Sequence, residues 1–374
     1  ECNPVWSPDG GKIFFQQDYP GESYKSYICV MNSDGSNVQK LAEGRNFILS
    51  PDGSKILFLF APQGYSGELN ACWWLMESDG SNRKKLPPLN NPSFNPDGSK
   101  ICYYTFHPTG YYWVQRESGV NWTRLDHEPT PEEGEFICYA MEELADIWVM
   151  DIAGGSKTKI ASNIPATLLS NIPPTLFAVS EWSPDGEKIL FQTSELYDHT
   201  ANFDIWTMNE DGSNKKRLTD YTRNDLAPRW SPDGKKIAYV SGGLSKYSYE
   251  IWGRHSYSCE IWVMNPDGSG KGKLTRNAKV RPWFDWSPDG RKIAYVSTDI
   301  DFALGLKHNK SEIWVMKADG SNKKLLLRIA ANGGNMDIHQ IKWKPDSSEI
   351  AFGIRDFSGS PGDHDIYLID VPGS

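Results

Sequence analysis

The chain has no apolar run near the ~20 residues that a membrane-spanning helix needs, so a helical span is not expected. It has no lysine-rich tract. The net charge is −9 and the pI is near 5.4. Nucleic acid is therefore not the expected partner, because phosphate binding needs a basic stripe. The charges are spread through the turns, which reads as solubility rather than steering. Cysteine is scarce: Cys2, Cys29, Cys72, Cys102, Cys138 and Cys259. No two are spaced C-x-x-C, which excludes the zinc, redox and haem motifs built on that pair. Cys102 and Cys138 read as one repeat position filled by a small buried residue, with a disulfide as the alternative. No signal peptide opens the chain, as expected of a processed exported protein or of a trimmed cytosolic one.

Aromatic and turn-forming residues are abundant. The 374 residues include 15 Trp, 17 Tyr, 33 Gly and 24 Pro, a balance that favours strands joined by tight turns. The decisive feature is self-similarity. Ser7-Pro8-Asp9-Gly10 recurs at 50–53, 183–186, 231–234 and 287–290, with variants at 95–98 and 344–347. An aromatic residue usually precedes it: Trp6, Phe94, Trp182, Trp230, Trp286 and Trp343, with Leu49 the exception. A second signature follows at Tyr27–Met31, Trp73–Met76, Ile205–Met208, Ile261–Met264, Ile313–Met316 and Ile366–Ile369. An Asp-Gly turn and a short basic strand complete most units.

Each unit reads as four strands. Pro fixes φ and Gly supplies positive φ in the first turn. The Asp-Gly pair closes the last hairpin. Four strands per ~40–45 residues is the sequence pattern of a β-propeller, whose blades must stack to cover their two apolar faces. The pre-turn residues are 43 and 45 apart over the first two intervals, then 88 apart from Phe94 to Trp182. That gap implies a hidden copy, with Gly134–Tyr139 as its inner strand and Ile147–Met150 as its second signature. The expectation is an all-β, eight-bladed propeller of four-stranded antiparallel blades, with seven blades as the alternative. It forms one domain over 1–374, with repeats at about 3–44, 45–88, 89–126, 127–162, 178–220, 226–276, 282–328 and 339–374. Trp148, Trp206, Trp262 and Trp314 are expected between blades, each burying up to roughly 4–6 kcal/mol of aromatic surface. An acid precedes this strand in five units (Asp146, Asp204, Glu260, Glu312 and Asp365), and its recurrence points to a structural hydrogen bond with neighbouring backbone.

Trp-Ser-Pro-Asp-Gly-Lys-Lys-Ile-Ala-Tyr at 230–239, followed by Ile-Trp-Val-Met-Asn-x-Asp-Gly at 261–268, resembles the TolB-type propeller repeat. Similar blades occur in the propellers of dipeptidyl-peptidase IV, acylaminoacyl-peptidase and oligogalacturonate lyase. The resemblance covers nearly the whole chain and implies a fold rather than an activity. TolB carries an α/β domain before its blades, whereas here the blades begin near residue 3. The peptidases carry a Gly-x-Ser-x-Gly elbow, and none is present. Oligogalacturonate lyases cluster histidines around a metal, whereas His107, His127, His199, His255, His308, His339 and His364 are scattered.

Function is expected on the long connections at 16–26, 61–71, 161–180, 193–203, 241–259, 297–311 and 355–364. The most loaded is 241–259, with Tyr247, Tyr249, Trp252, Arg254, His255 and Tyr257. Such residues anchor protein interfaces or stack on carbohydrate, or the loop packs on itself. Arg45, Glu181, Arg229, Arg281, Asp285 and His339 stand near the start of the first strand of their units and are candidates for a channel mouth. They would hold an anion or carboxylate, or serve as salt-bridged spacers. Asn121 and Asn309 head glycosylation sequons. The last repeat stops after its third strand, so Asp365, Ile366, Tyr367, Leu368 and Ile369 form an open edge that invites strand addition. The leading expectation is a non-enzymatic, extracytoplasmic binding propeller that needs no cofactor or metal. Its partner is a protein or identical subunits, with carbohydrate as a further option. A self-assembling subunit of a surface layer or filament, and a lyase or hydrolase with a channel-mouth site, are the alternatives.

Overall fold

The computed structural model describes residues 3–19, 25–60, 72–115, 123–126, 138–153, 155–165, 168–169, 180–197, 200–220, 223–242, 259–276, 278–301, 307–330, 336–356 and 364–373. Every described element is a strand. The first sheet runs β1 (Val5–Trp6), β2 (Lys12–Tyr19), β3 (Lys25–Asn32), β4 (Gln39–Glu43). The second runs β5 (Arg45–Leu49), β6 (Lys55–Phe60), β7 (Cys72–Glu77), β8 (Lys84–Lys85). The third contains β9 (Asn90–Phe94), β10 (Lys100–Gln115), β11 (Thr123–Leu125), β12 (Cys138–Asp151), β13 (Lys157–Pro165) and β14 (Leu168–Leu169). The fourth runs β15 (Ser180–Trp182), β16 (Lys188–Tyr197), β17 (Thr200–Asn209), β18 (Lys216–Arg217). The fifth runs β19 (Asn224–Trp230), β20 (Ile237–Gly242), β21 (Glu260–Met264), β22 (Gly272–Lys273). The sixth runs β23 (Val280–Trp286), β24 (Lys292–Asp301), β25 (Lys307–Lys317), β26 (Lys324–Ala330). The seventh has three strands, β27 (Met336–Trp343), β28 (Glu349–Asp356) and β29 (His364–Asp370).

Seven successive antiparallel sheets are the blades of a seven-bladed β-propeller. The all-β class and the four-stranded plan hold, and the blade count is the alternative, seven, rather than eight. The supposed repeats at 89–126 and 127–162 are one sheet. β10 and β12 form a single long hairpin, from Lys100 opposite Asp151 to Gln115 opposite Cys138. The 88-residue gap is therefore one enlarged blade plus its connector. Cys102 lies opposite Val149 and Cys138 opposite Gln115, so they are not one repeat position. Extended hairpins also fill much of the segments expected to be loops, as β16 and β17 stay paired to Tyr197 and Thr200. Cys29, Cys72, Cys102 and Cys259 are free thiols.

The chain divides into two compact units. One comprises Glu1–Leu89, Ser231–Asp233 and Ala278–Ser374; the other comprises Asn90–Trp230 and Gly234–Asn277. In the first unit, a core of Phe14, Ile28, Phe47, Ile56 and Phe58 joins the first two sheets, and Val296, Ile313, Ile338, Trp343 and Phe352 join the last two. Trp6 and Ile13 pack on Ala351, so the first and seventh sheets meet through side chains. In the second unit, Trp182 packs against the third sheet and Trp230 against the fourth.

The buried indoles are thus those before the turn: Trp6, Trp182, Trp230, Trp286 and Trp343 are 5–6 % exposed. Trp148, Trp206, Trp262 and Trp314 are only half-buried; Trp206 and Trp262 do pack on cores shared by two sheets, as expected, but the larger burial falls to the pre-turn indoles. Their position explains why. Each lies on the third strand, next to the short basic fourth strand, where Trp206 faces Arg217 and Trp262 faces Lys273. Cations cover the rings, with Lys159 5.0 Å from the Trp148 centroid and Lys215 5.8 Å from that of Trp206. The favourable contact is electrostatic as well as apolar.

The Ser-Pro-Asp-Gly turn is a hydrogen-bonded staple. In the first copy the Ser7 hydroxyl donates to Asp9 Oδ1 at 2.6 Å, and Lys12 N–H donates to Ser7 Oγ at 2.9 Å. Gly53 shows why the glycine is needed. Its φ is +73°, and a Cβ there would meet Pro8 Cδ of the preceding blade at 2.6 Å.

Candidate functional site

In four blades the residue just before the pre-turn aromatic is charged: Glu181, Arg229, Asp285 and Lys342. They pair from blade to neighbouring blade. Arg229 Nη1 lies 3.8 Å from Glu181 Oε2 in the second unit, and Lys342 Nζ lies 3.4 Å from Asp285 Oδ2 in the first. Lys342 was not singled out from the sequence, although its equivalence to Arg229 in the repeat marks it. Arg281 stacks its guanidinium 5.2 Å from the Trp283 centroid. Arg45 opens β5 opposite Leu59 and is half-buried. His339 lies in β27 opposite Gly353. Glu181 and Arg229 belong to one compact unit and the other four candidates to the other. Tyr247, Tyr249, Trp252, Arg254, His255 and Tyr257 lie outside the described residues, as does Asn121. Asn309 falls within β25.

Two buried glutamines were not foreseen. Gln16 and Gln192 occupy the same place in β2 and β16, and each reaches the next blade. Their side-chain oxygens accept from Asn46 N–H at 3.0 Å and Ala227 N–H at 3.1 Å. Both acceptor sites are bulges with φ of +51° and +50°, where the ladder leaves a backbone donor unpaired.

Four of the five acids before the third-strand signature, Asp146, Asp204, Glu260 and Glu312, are buried, whereas Asp365 is exposed; fourth-strand side chains are prominent among the partners of the four. Asp204 is 0 % exposed and accepts from the Thr219 hydroxyl at 2.9 Å. That hydroxyl in turn accepts Ile205 N–H at 3.0 Å. Glu260 repeats the arrangement with Thr275 at 2.5 Å, which accepts Ile261 N–H at 2.9 Å. Arg217 and Lys273 add charge at 3.5 and 3.4 Å. Glu312 takes the Trp314 indole N–H at 2.9 Å and Arg328 Nε at 2.6 Å. Burial opposes its ionisation, yet these donors and Lys310 hold its carboxyl below the usual range. Asp146 follows the same balance, with burial outweighed by Lys159 and the Asn163 N–H, a backbone partner of the expected kind.

Asp225 in β19 behaves oppositely. Burial pushes its carboxyl up to about 6, against hydrogen bonds from Ser241 and Thr219, and the Asp204 and Asp220 charges add to the rise.

The seventh sheet differs from the rest at its outer edge. β29 pairs with β28 from Arg355 opposite His364 to Glu349 opposite Asp370, and no described strand pairs its other side. Tyr367 and Leu368 are 43 % and 39 % exposed. The Tyr367 ring stacks on Phe352 at 5.7 Å, and its hydroxyl donates to Asp365 Oδ2 at 3.3 Å. Among the described residues, no group of three or more His, Cys, Asp or Glu is placed to hold a metal ion.

These features define a seven-bladed β-propeller. No protein-family model matches the chain. It is 27 % identical over 207 residues to an uncharacterized protein of Agrobacterium fabrum, covering 55 % of this chain and 60 % of that one. It is 31 % identical over 117 residues to dipeptidyl-peptidase 5 of Porphyromonas endodontalis, covering 31 % of this chain and 15 % of that one. It is 32 % identical over 110 residues to the Tol-Pal system protein TolB of Alcanivorax borkumensis, covering 29 % and 22 %. The chain thus spans less than two thirds of the length of each of these relatives. Among solved structures, an oligogalacturonate lyase in complex with manganese covers 99 % of this chain and 89 % of its own, with 14 % identity and a TM-score of 0.63. The propeller domain of the trilobed protease of Pyrococcus furiosus, described as having an open velcro topology, covers 98 % and 94 %, with 12 % identity and a TM-score of 0.56. The fold is shared with these proteins.

Proposed function

We propose that this chain is a non-catalytic propeller that binds a protein partner outside the cytoplasm. The carrying observation is that the charged residues just before the pre-turn aromatics are engaged with one another, Glu181 with Arg229 and Asp285 with Lys342, as spacers of a scaffold rather than as a substrate site. The exposed Tyr367 and Leu368 of β29 offer a partner apolar contact. The match to a Tol-Pal system protein accords with an extracytoplasmic location. Turnover assays with oligogalacturonates plus manganese, and with dipeptide anilides, test the non-catalytic part. No product above the buffer rate is expected, and enzyme-dependent turnover that purification does not remove refutes it.

A further inference from the structure

The fifth sheet breaks the repeat at a buried position. Asp225 of β19 stands opposite Ser241 of β20. The matching residues of the next two sheets are Val280, opposite Ser297, and Ile338, opposite Ile354. Both are apolar and buried, and Asp225 is as buried as they are. A carboxyl thus fills a place that the neighbouring blades give to hydrocarbon, at a cost in stability that valine or isoleucine would not incur.

Polar side chains tie β19 to the fourth sheet, all inside the second compact unit. Asn224 Oδ1 accepts Phe203 N–H at 3.1 Å, and Gln192 Oε1 accepts Ala227 N–H at 3.1 Å. Between these two contacts the Thr219 hydroxyl serves two carboxyls. It donates to Asp204 Oδ1 at 2.9 Å and also bonds Asp225. Its oxygen accepts Ile205 N–H at 3.0 Å, which leaves one lone pair. A protonated Asp225 can donate to that lone pair, and the row Asp225–Thr219–Asp204 is then complete. An ionised Asp225 cannot, because two carboxylates then compete for a single hydroxyl hydrogen.

The groups around Asp225 decide how that competition ends. Asp204 keeps Arg217 Nε at 3.5 Å as its counter-ion, and the same Nε donates to Thr219 C=O at 2.6 Å. Asp204 and Asp220 both oppose a charge on Asp225. On β20, burial first, and then the Asp225 and Asp220 charges, push the Tyr239 hydroxyl up, so it stays neutral. On β21, Glu260 stands across Ser241 and is matched by Lys273 at 3.4 Å. The Ser241 hydroxyl bonds Asp225 but carries no charge to offset its own.

We propose that Asp225 is a pH-operated latch on the seam between the fourth and fifth sheets. Protonated, it closes the row through Thr219 and holds β19 against β17. Ionised, it loses that bond and is repelled by Asp204 and Asp220, and β19 parts from its Phe203 and Gln192 contacts. Burial makes the closed seam hold the proton up to about pH 6, whereas an open, hydrated Asp225 releases it near the ordinary 3.8. Opening is therefore favoured as the pH rises between those values and changes no further above them. The latch needs no partner or substrate, so it stands apart from the binding reading above.

Amide hydrogen exchange of the full chain from pH 4 to 7.5, corrected for intrinsic rates, tests this. Protection at Phe203 and Ala227 should fall at least about tenfold between pH 4 and 6.5 and then level off, the limit for one proton being about tenfold per pH unit. At pH 7 exchange at both amides should be insensitive to urea below the unfolding transition, since a local opening exposes little surface. Asp225→Asn, and separately Asp225→Val, which installs the residue of the sixth sheet, should each flatten the pH profile. The wild-type profile needs no substitution, so a variant that fails to fold leaves the test intact. A flat wild-type profile, a step that survives in a folded variant, or a urea dependence equal to that of global unfolding overturns the proposal.

Discussion

Asp225 should subtract from this protein's stability as the pH rises from 4 to neutral. Its carboxyl is 5 % exposed, and burial together with Asp204 and Asp220 lifts it from 3.8 to about 6. Below pH 3.8 it is protonated in folded and unfolded chains alike and contributes no pH dependence. Between 3.8 and 6 the unfolded chain releases the proton and the folded chain keeps it, so stability falls as pH rises. Above 6 the full cost is in place. At about 1.4 kcal/mol per tenfold change in the proton equilibrium, that cost is about 3 kcal/mol. Asp225→Asn keeps the shape and one accepting oxygen while removing the charge. Urea unfolding of both proteins, followed by tryptophan fluorescence from pH 4 to 8, isolates the effect, because other titrating groups cancel in the difference. The variant should match the wild type near pH 4 and exceed it by about 1–3 kcal/mol at pH 7.5. A stability difference that stays constant across this range refutes the reasoning.

Other substitutions probe the repeat itself. Gly212 has φ of +85°, and a Cβ there would fall on Ile160 O. Gly212→Ala should therefore lower stability by more than about 1–2 kcal/mol in urea unfolding, and an unchanged midpoint would contradict this. Thr275→Val strips the hydroxyl between Ile261 N–H and Glu260 and should cost about 1–3 kcal/mol, with Thr275→Ser recovering most of it in the same assay. Gln192→Leu leaves the Ala227 N–H without its acceptor, which should cost about 1–3 kcal/mol and speed hydrogen exchange at Ala227.

The repeat was legible because its punctuation is local. Pro-Asp-Gly and Asp-Gly set turns by backbone geometry alone, so Trp182, Trp230 and Trp286 marked blades at once. The blade count failed where that punctuation was missing. Gly134–Tyr139 matched a strand in composition, but no Pro-Asp-Gly turn preceded it, and its described residues, Cys138 and Tyr139, pair with β10 in the far arm of one hairpin. Periodicity also misjudged the indoles. Recurrence showed that Trp206 and Trp262 pack the same way, but not that a basic strand covers them, since only register sets Trp206 beside Arg217. The salt-bridged reading of Glu181 and Arg229 was one of the two that the sequence offered. Lys342 stands just before its aromatic as Arg229 does, and that shared register is the signal that marks it. Gln16 and Gln192 sit in otherwise apolar strands, and the donors they satisfy exist only because a bulge elsewhere exposes them.

Each described sheet is drawn from one stretch of chain, and among the described residues the first and seventh touch through Trp6 and Ala351 with no strand in common. Heredity and architecture therefore share a unit. An in-frame duplication or loss of some 45 codons would insert or delete a complete blade, never half of one. A lineage carrying this design can change its number of blades through ordinary recombination errors, with no strand left stranded in the process.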